Sequence, residues 1–63
     1  MLNYIHDSQR RMIGWTQISS NGFTYLYNAR GQMKGWYQPK SNQTFTQGGQ
    51  LVGWDNQLMM LLN

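Results

Sequence analysis

Three times along this chain, alternating aromatic or branched and polar residues run into a polar turn and return through a segment that ends in Gly-Trp. The pairs are Gly14-Trp15, Gly35-Trp36 and Gly53-Trp54. Alternation with period two marks a strand that has one face on a core. The middle copy is the clearest. Phe23-Thr24-Tyr25-Leu26-Tyr27 puts aromatic residues on one face, Asn28-Ala29-Arg30-Gly31 has turn chemistry, and Gln32 to Gln38 returns. A shift of 18 sets Tyr27 on Phe45, Gly31 on Gly49 and Met33 on Leu51. A shift of 21 sets His6 on Tyr27, Asp7 on Asn28 and Met12 on Met33; the three additional residues fall in Ser19-Ser20-Asn21, where a loop absorbs them. Self-similarity at such a spacing sets the architecture before any single residue is interpreted. It predicts three consecutive β-hairpins of about 18–21 residues over 2–18, 23–38 and 44–54, with turn-rich linkers at Ser19 to Gly22 and Pro39 to Gln43.

The pattern changes at the end of the chain. Asp55 can cap a short helix, and Leu58, Met59, Met60, Leu61 and Leu62 follow, apolar almost all round. A helix over 55–62 is too short to stand alone and has to bury itself on the sheet or on another subunit. The expected fold is therefore mainly β, one small domain over 1–63, three hairpin repeats and a short C-terminal helix. Period two assigns Met12, Met33 and Leu51 to the face of Gly14, Gly35 and Gly53, with Trp15, Trp36 and Trp54 opposite. A strand glycine often marks a close approach, which predicts an aromatic ring from Tyr25, Tyr27, Tyr37 or Phe45 over each one.

Composition narrows what holds such a fold. A chain of 63 residues buries only about 60% of the surface it exposes when unfolded, and small scaffolds usually add disulfides, a metal or partner subunits. There is no cysteine, and the single His6 with Asp7 and Asp55 cannot close a zinc site. Self-association is what remains, and Leu58, Met59, Met60, Leu61 and Leu62 are the expected oligomer contact. No cofactor is expected.

Charge is sparse, five Lys/Arg against two Asp for a net +3. That excess permits an anionic partner without the basic stripe that nucleic-acid binding calls for. Arg10 and Arg30 fall in neighbouring positions of equivalent turns, where they suit a phosphate beside aromatic rings. The His6-Asp7 pair offers no catalytic dyad, since adjacent strand residues point to opposite faces. No nucleophile, base and orienting group come together, so the expectation is a protein that is not an enzyme. Nothing reaches the length of a membrane span, and the first residues lack a secretory pattern. The expected location is cytoplasmic.

From Gly14-Trp15 through Phe23-Thr24-Tyr25-Leu26-Tyr27 and Gly31-Gln32-Met33 to Gly35-Trp36, the chain resembles a choline-binding, cell-wall-binding repeat, with a weaker echo over Gln43 to Trp54. The resemblance implies successive hairpins whose aromatic residues hold a quaternary ammonium group by cation–π attraction. Trp15, Tyr25, Trp36 and Met33 would line that cage, and the protein would be associated with a cell wall. The family's Trp-Tyr-Tyr stretch reads Thr24-Tyr25-Leu26 here, one ring short.

Together these features lead to a self-associating, non-enzymatic binding module. Its expected ligand residues are Trp15, Tyr25, Trp36, Trp54, Met33, Arg10 and Arg30. The ligand is a quaternary ammonium, a sugar or a nucleotide; alternatively the module is a phage- or plasmid-type accessory protein that blocks a partner or sequesters a nucleotide.

Overall fold

Six strands follow one another in a computed structural model that describes residues 2–62: β1 (Leu2–His6), β2 (Met12–Ile18), β3 (Thr24–Asn28), β4 (Met33–Gln38), β5 (Gln43–Thr46) and β6 (Leu51–Trp54). Met1 and Asn63, the two ends of the expected domain, lie outside the described residues. The strands form one antiparallel sheet in chain order, each paired with its neighbours in sequence. The mainly β fold is thus the one expected. The segments between the three hairpins turn out to be hairpin turns as well, so the units merge into a continuous meander. No helix among the described residues is long and apolar enough to cross a membrane.

The turns share one plan. In Asp7–Arg10, Asn28–Gly31 and Thr46–Gly49 the fourth amide donates to the first carbonyl, at 3.0, 3.0 and 2.9 Å. The fourth residue takes a left-handed conformation, with φ of 65° at Arg10, 83° at Gly31 and 87° at Gly49. The first residue supplies a side-chain oxygen to the amide that follows the turn. Asp7 Oδ1 accepts from Arg11 N at 2.9 Å, Asn28 Oδ1 from Gln32 N at 3.0 Å, and Thr46 Oγ1 from Gln50 N at 3.2 Å. Gly22 (φ 89°) and Asn42 (φ 56°) end the two remaining turns in the same way. Asp, Asn and Thr suit the first position because their short side chains reach the backbone beyond. Glycine suits the fourth because it has no Cβ to clash there.

Each returning strand then carries one residue too many. Ile5 faces Gly14 but His6 faces Met12; Leu26 faces Gly35 but Tyr27 faces Met33; Thr44 faces Gly53 but Phe45 faces Leu51. Ile13, Lys34 and Val52 are the unpaired residues of three equivalent β-bulges. A bulge breaks strict alternation, and this corrects the face assignment. Met12, Met33 and Leu51 lie on the tryptophan face, opposite the glycines. The three additional residues between the first two units are also placed differently. The β2–β3 hairpin has one more paired rung beyond its tryptophan than β4–β5, and its turn has one more residue. Strand length absorbs two of the three.

The end of the chain covers the glycine face. A Cβ on Gly35 would meet the Phe45 carbonyl oxygen and Leu61 Cδ1, and one on Gly14 would meet the Tyr27 carbonyl oxygen and Leu62 Cδ2. Gln57 lies over Gly53. The rings expected over the glycines are therefore not there; leucines and a glutamine of the tail take that place, because register sets Asn28, Leu26, Thr46 and Thr44 opposite the glycines and pairs Tyr25, Tyr27 and Phe45 with the tryptophans. The expected helix over 55–62 is a single 3-10 turn, Leu58–Leu62. Asp55 cannot cap it, since its own φ of 65° breaks the chain direction; Asn56 Oδ1 accepts from Leu58 N instead, at 3.1 Å.

Thr44 anchors this segment. Its fully buried hydroxyl donates to the Asp55 carbonyl at 2.7 Å and accepts from Gln57 N at 2.9 Å. Leu26 of β3 and Leu58 of the tail are the buried apolar side chains among the described residues. Leu58, Leu61 and Leu62 thus pack within their own chain, while Met59 and Met60 point out, 57% and 63% exposed.

Two substitutions test this architecture by chemical denaturation. Gly35→Ala places a methyl group against the Phe45 carbonyl and Leu61, and lowers stability by about 1–3 kcal/mol. Arg10→Gly relieves the one turn among the three equivalent ones that lacks glycine at its left-handed position, and raises stability by about 1 kcal/mol.

Candidate functional site

With the tail on one side of the sheet, the other side is left as a field of rings. Register defines its rows. Tyr4, Trp15, Tyr27 and Met33 sit side by side on β1 to β4. Gln17, Tyr25, Trp36, Phe45 and Leu51 form the next row on β2 to β6. Gln38, Gln43 and Trp54 form a third. Tryptophan stacks on its neighbour in two places: Trp15 on Tyr27, with ring centres 5.4 Å apart and planes at 17°, and Trp36 on Phe45, at 5.5 Å and 24°. Tyr4 leans on Trp15 at 6.4 Å, and Phe23 on Tyr25 at 6.3 Å. Such pairs stabilise by about 0.5–1.5 kcal/mol beyond the area they bury. They hold the rings in place without any covering layer.

The expected ligand residues Trp15, Tyr25, Met33, Trp36 and Trp54 all lie on this face. They do not converge on a central cavity. Tyr27 stands between Trp15 and Met33 in the row and uses one face of the Trp15 ring. A cage for a compact cation needs rings turned toward a shared empty point; stacked pairs in rows make a platform. Trp54 is the outlier, 61% exposed at the sheet edge. Gln38 Oε1 accepts from Trp36 Nε1 at 3.0 Å, fixing that indole. The charged residues lie off these rows: Asp7, Arg10, Arg11, Arg30 and Lys40 lie in or beside turns, Lys34 is a bulge residue, and Asp55 follows β6.

Arg10 and Arg30 come to the same end of the sheet, as their turn positions implied. Arg10 is occupied in a structural role, as the left-handed residue of its turn. Arg11 takes its place beside Arg30: the two line a shallow cleft of about 420 Å³ with Asp7, Met12, Asn28 and Gln32. Arg11 Nε donates to Asp7 Oδ2 at 3.1 Å. Asp7 also accepts from the backbone amides of Arg11 and Gln9, each at 2.9 Å. The Arg11 amide chiefly, with the Gln9 amide, the Arg11 guanidinium and nearby His6, holds the Asp7 carboxyl below its ordinary value. That carboxylate is saturated by its own turn. Among the described residues no three His, Asp or Glu side chains form a cluster able to hold a metal.

Sequence reasoning missed Tyr4, Tyr27 and Phe45 as members of the stacks, and Arg11 as the second cleft arginine. The pairing of Trp15 with Tyr27 and Trp36 with Phe45 was within reach of the repeat, because the shift of 21 sets Trp15 on Trp36 and the shift of 18 sets Tyr27 on Phe45. Compared with family models, curated proteins and solved structures, the chain finds no match.

A depressed carboxyl pKa contributes stability that is present above the ordinary value and is lost as pH falls through the folded one. Only two side-chain carboxylates exist, so the acid limb is simple. The thermal midpoint therefore drops as pH falls below 3.8, the ordinary Asp value. Asp7→Asn keeps the Oδ1 acceptor, as Asn28 does in the equivalent turn, and flattens that drop. A pH profile unchanged by Asp7→Asn would remove the carboxylate from this role.

Proposed function

We propose that the chain is a non-catalytic binding module, that its aromatic sheet face is the binding surface, and that the ligand is a neutral glycan of the cell-wall type. One observation carries this reading: nine side chains along two rows of one sheet face include six aromatic rings that the tail leaves uncovered. Tyr4 is exposed and the other five rings are half-buried against one another, and a contiguous apolar patch of this kind marks an interaction site. Rings stacked in rows suit a flat, extended partner laid across them. The amides of Gln17 and Gln43 on the same face can both donate and accept, which suits hydroxyl groups. Because the charged residues stand off the rows, the face favours a neutral ligand over a phosphate chain.

The likeness to choline-binding repeats supports the cell-wall assignment. Quaternary ammonium binding is the weaker part of that likeness, because Tyr27 fills the space a cage would need. With a glycan ligand the protein works at a cell wall; a cytoplasmic location fits the second reading below. Self-association belongs to the same proposal, with the exposed Met59 and Met60 and the open sheet edges available to a second copy.

A second reading has its own observation, the Arg11 and Arg30 cleft. Two guanidinium groups beside Asn28 and Gln32 suit the phosphate of a nucleotide, and the chain would then sequester that ligand as an accessory protein.

Titration of the intrinsic tryptophan fluorescence separates the readings. A chitooligosaccharide or related wall fragment produces a saturable shift that Trp36→Ala weakens about tenfold or more. Choline and nucleotide, added in parallel, leave the spectrum unchanged. A nucleotide response lost in Arg30→Ala transfers the function to the cleft, and silence toward all the glycans overturns the platform.

A further inference from the structure

Trp54 lacks what its two equivalents have. Trp15 stacks on Tyr27 of the next strand and Trp36 on Phe45 of the next strand, whereas β6 is the last strand and Trp54 is 61% exposed. Under the repeat, the residue equivalent to Tyr27 and Phe45 is His6, in β1 at the opposite edge.

The backbone of the two edges matches that equivalence. In an antiparallel pair whose flanking groups make the bonds, the paired residues point their own N–H and C=O outward. Asn28 N donates to Gln32 O around the Tyr27 and Met33 pair, so Tyr27 presents its polar groups to Trp15. Thr46 N donates to Gln50 O around the Phe45 and Leu51 pair, so Phe45 presents its groups to Trp36. Asp7 N donates to Arg11 O around the His6 and Met12 pair in the same way. His6 therefore presents its groups to the open edge. On the far side, Asp55 N donates to Asn42 O beside the Trp54 and Gln43 pair, and Trp54 points its groups to the other open edge.

We infer that β6 pairs with β1 of a second copy of this chain, head to tail, with Trp54 opposite the second copy's His6 and Gly53 opposite its Asp7. This rests on the self-association reading and specifies its junction. The contact repeats the β2–β3 and β4–β5 junctions already present within the chain, so sheet, ring rows and turns continue across it. The tail leaves β6 on the opposite face and does not cover the edge rings. One bond guards the edge: Gln57 Nε2 donates to the Trp54 carbonyl at 3.0 Å, the acceptor that the incoming strand needs. Association exchanges that side-chain donor for a backbone one. Because the two surfaces differ, the contact is heterologous and propagates until it closes into a ring or extends as a filament.

The chain has no cysteine, which makes cross-linking clean. His6→Cys and Trp54→Cys chains, mixed and oxidised, form the heterodisulfide in preference to either homodisulfide, since paired residues across such a junction lie within disulfide reach. By sedimentation equilibrium, Trp54→Ala weakens self-association roughly tenfold or more. His6→Tyr, which restores the ring found at Tyr27, tightens it. Both edge positions are exposed, so neither change threatens the fold. Homodisulfides of His6→Cys alone, or association indifferent to Trp54→Ala, overturn this junction while leaving self-association standing. A wild-type chain that stays monomeric at every concentration overturns both.

Discussion

Bare backbone at Gly14, Gly35 and Gly53 allows a short apolar tail to serve as the second layer of this protein. A sheet buries one face against another element or does not persist as a folded domain. Here the cover that the described residues supply is a single short turn, Leu58–Leu62, too small to span the gap that ordinary side chains impose between layers. Removing the side chains where the tail crosses brings Leu61 and Leu62 down onto the strands themselves. Thr44 then fixes the approach by bonding both sides of the bend at Asp55 and Gln57. Few side chains become fully buried as a result, and the sheet depends on local turns and ring stacking for the rest.

The bulges connect that packing to the candidate site. Each sits one residue before a glycine and shifts alternation, so that methionine or leucine joins the rings and the glycine side stays bare. Without the bulge the two faces would mix large and absent side chains, and neither a seat for the tail nor an unbroken aromatic field would form. One local irregularity, copied three times, produces both surfaces.

How much of this was legible in the chain differs by level. Strand and turn positions followed from alternation and from Asn28, Gly31 and Gly49, because those preferences are local. The sidedness of Met12, Met33 and Leu51 was not, since a bulge depends on which residue of the partner strand each faces. Composition alone does not say whether the tail covers the sheet or another subunit; the glycine track seats Leu61 and Leu62 on the sheet, Leu58 is buried, and Met59 and Met60 stay outside. Arg10 shows a further limit. Its place in the repeat matched Gly31, yet its side chain suggested a ligand role before its backbone conformation was known. The stacks at Tyr27 and Phe45 were implicit in the repeat but required the register to be seen.

The tail touches one glycine in every unit, through Gln57, Leu61 and Leu62 in turn. It thereby gauges how many hairpins the fold can hold. A duplication inside the chain, the usual way such arrays grow, would add a stretch of strand with no lid, because the lid does not lengthen with it. Expansion and shortening of this architecture are coupled to the few residues after Trp54, and a change in copy number there demands a matching change in reach.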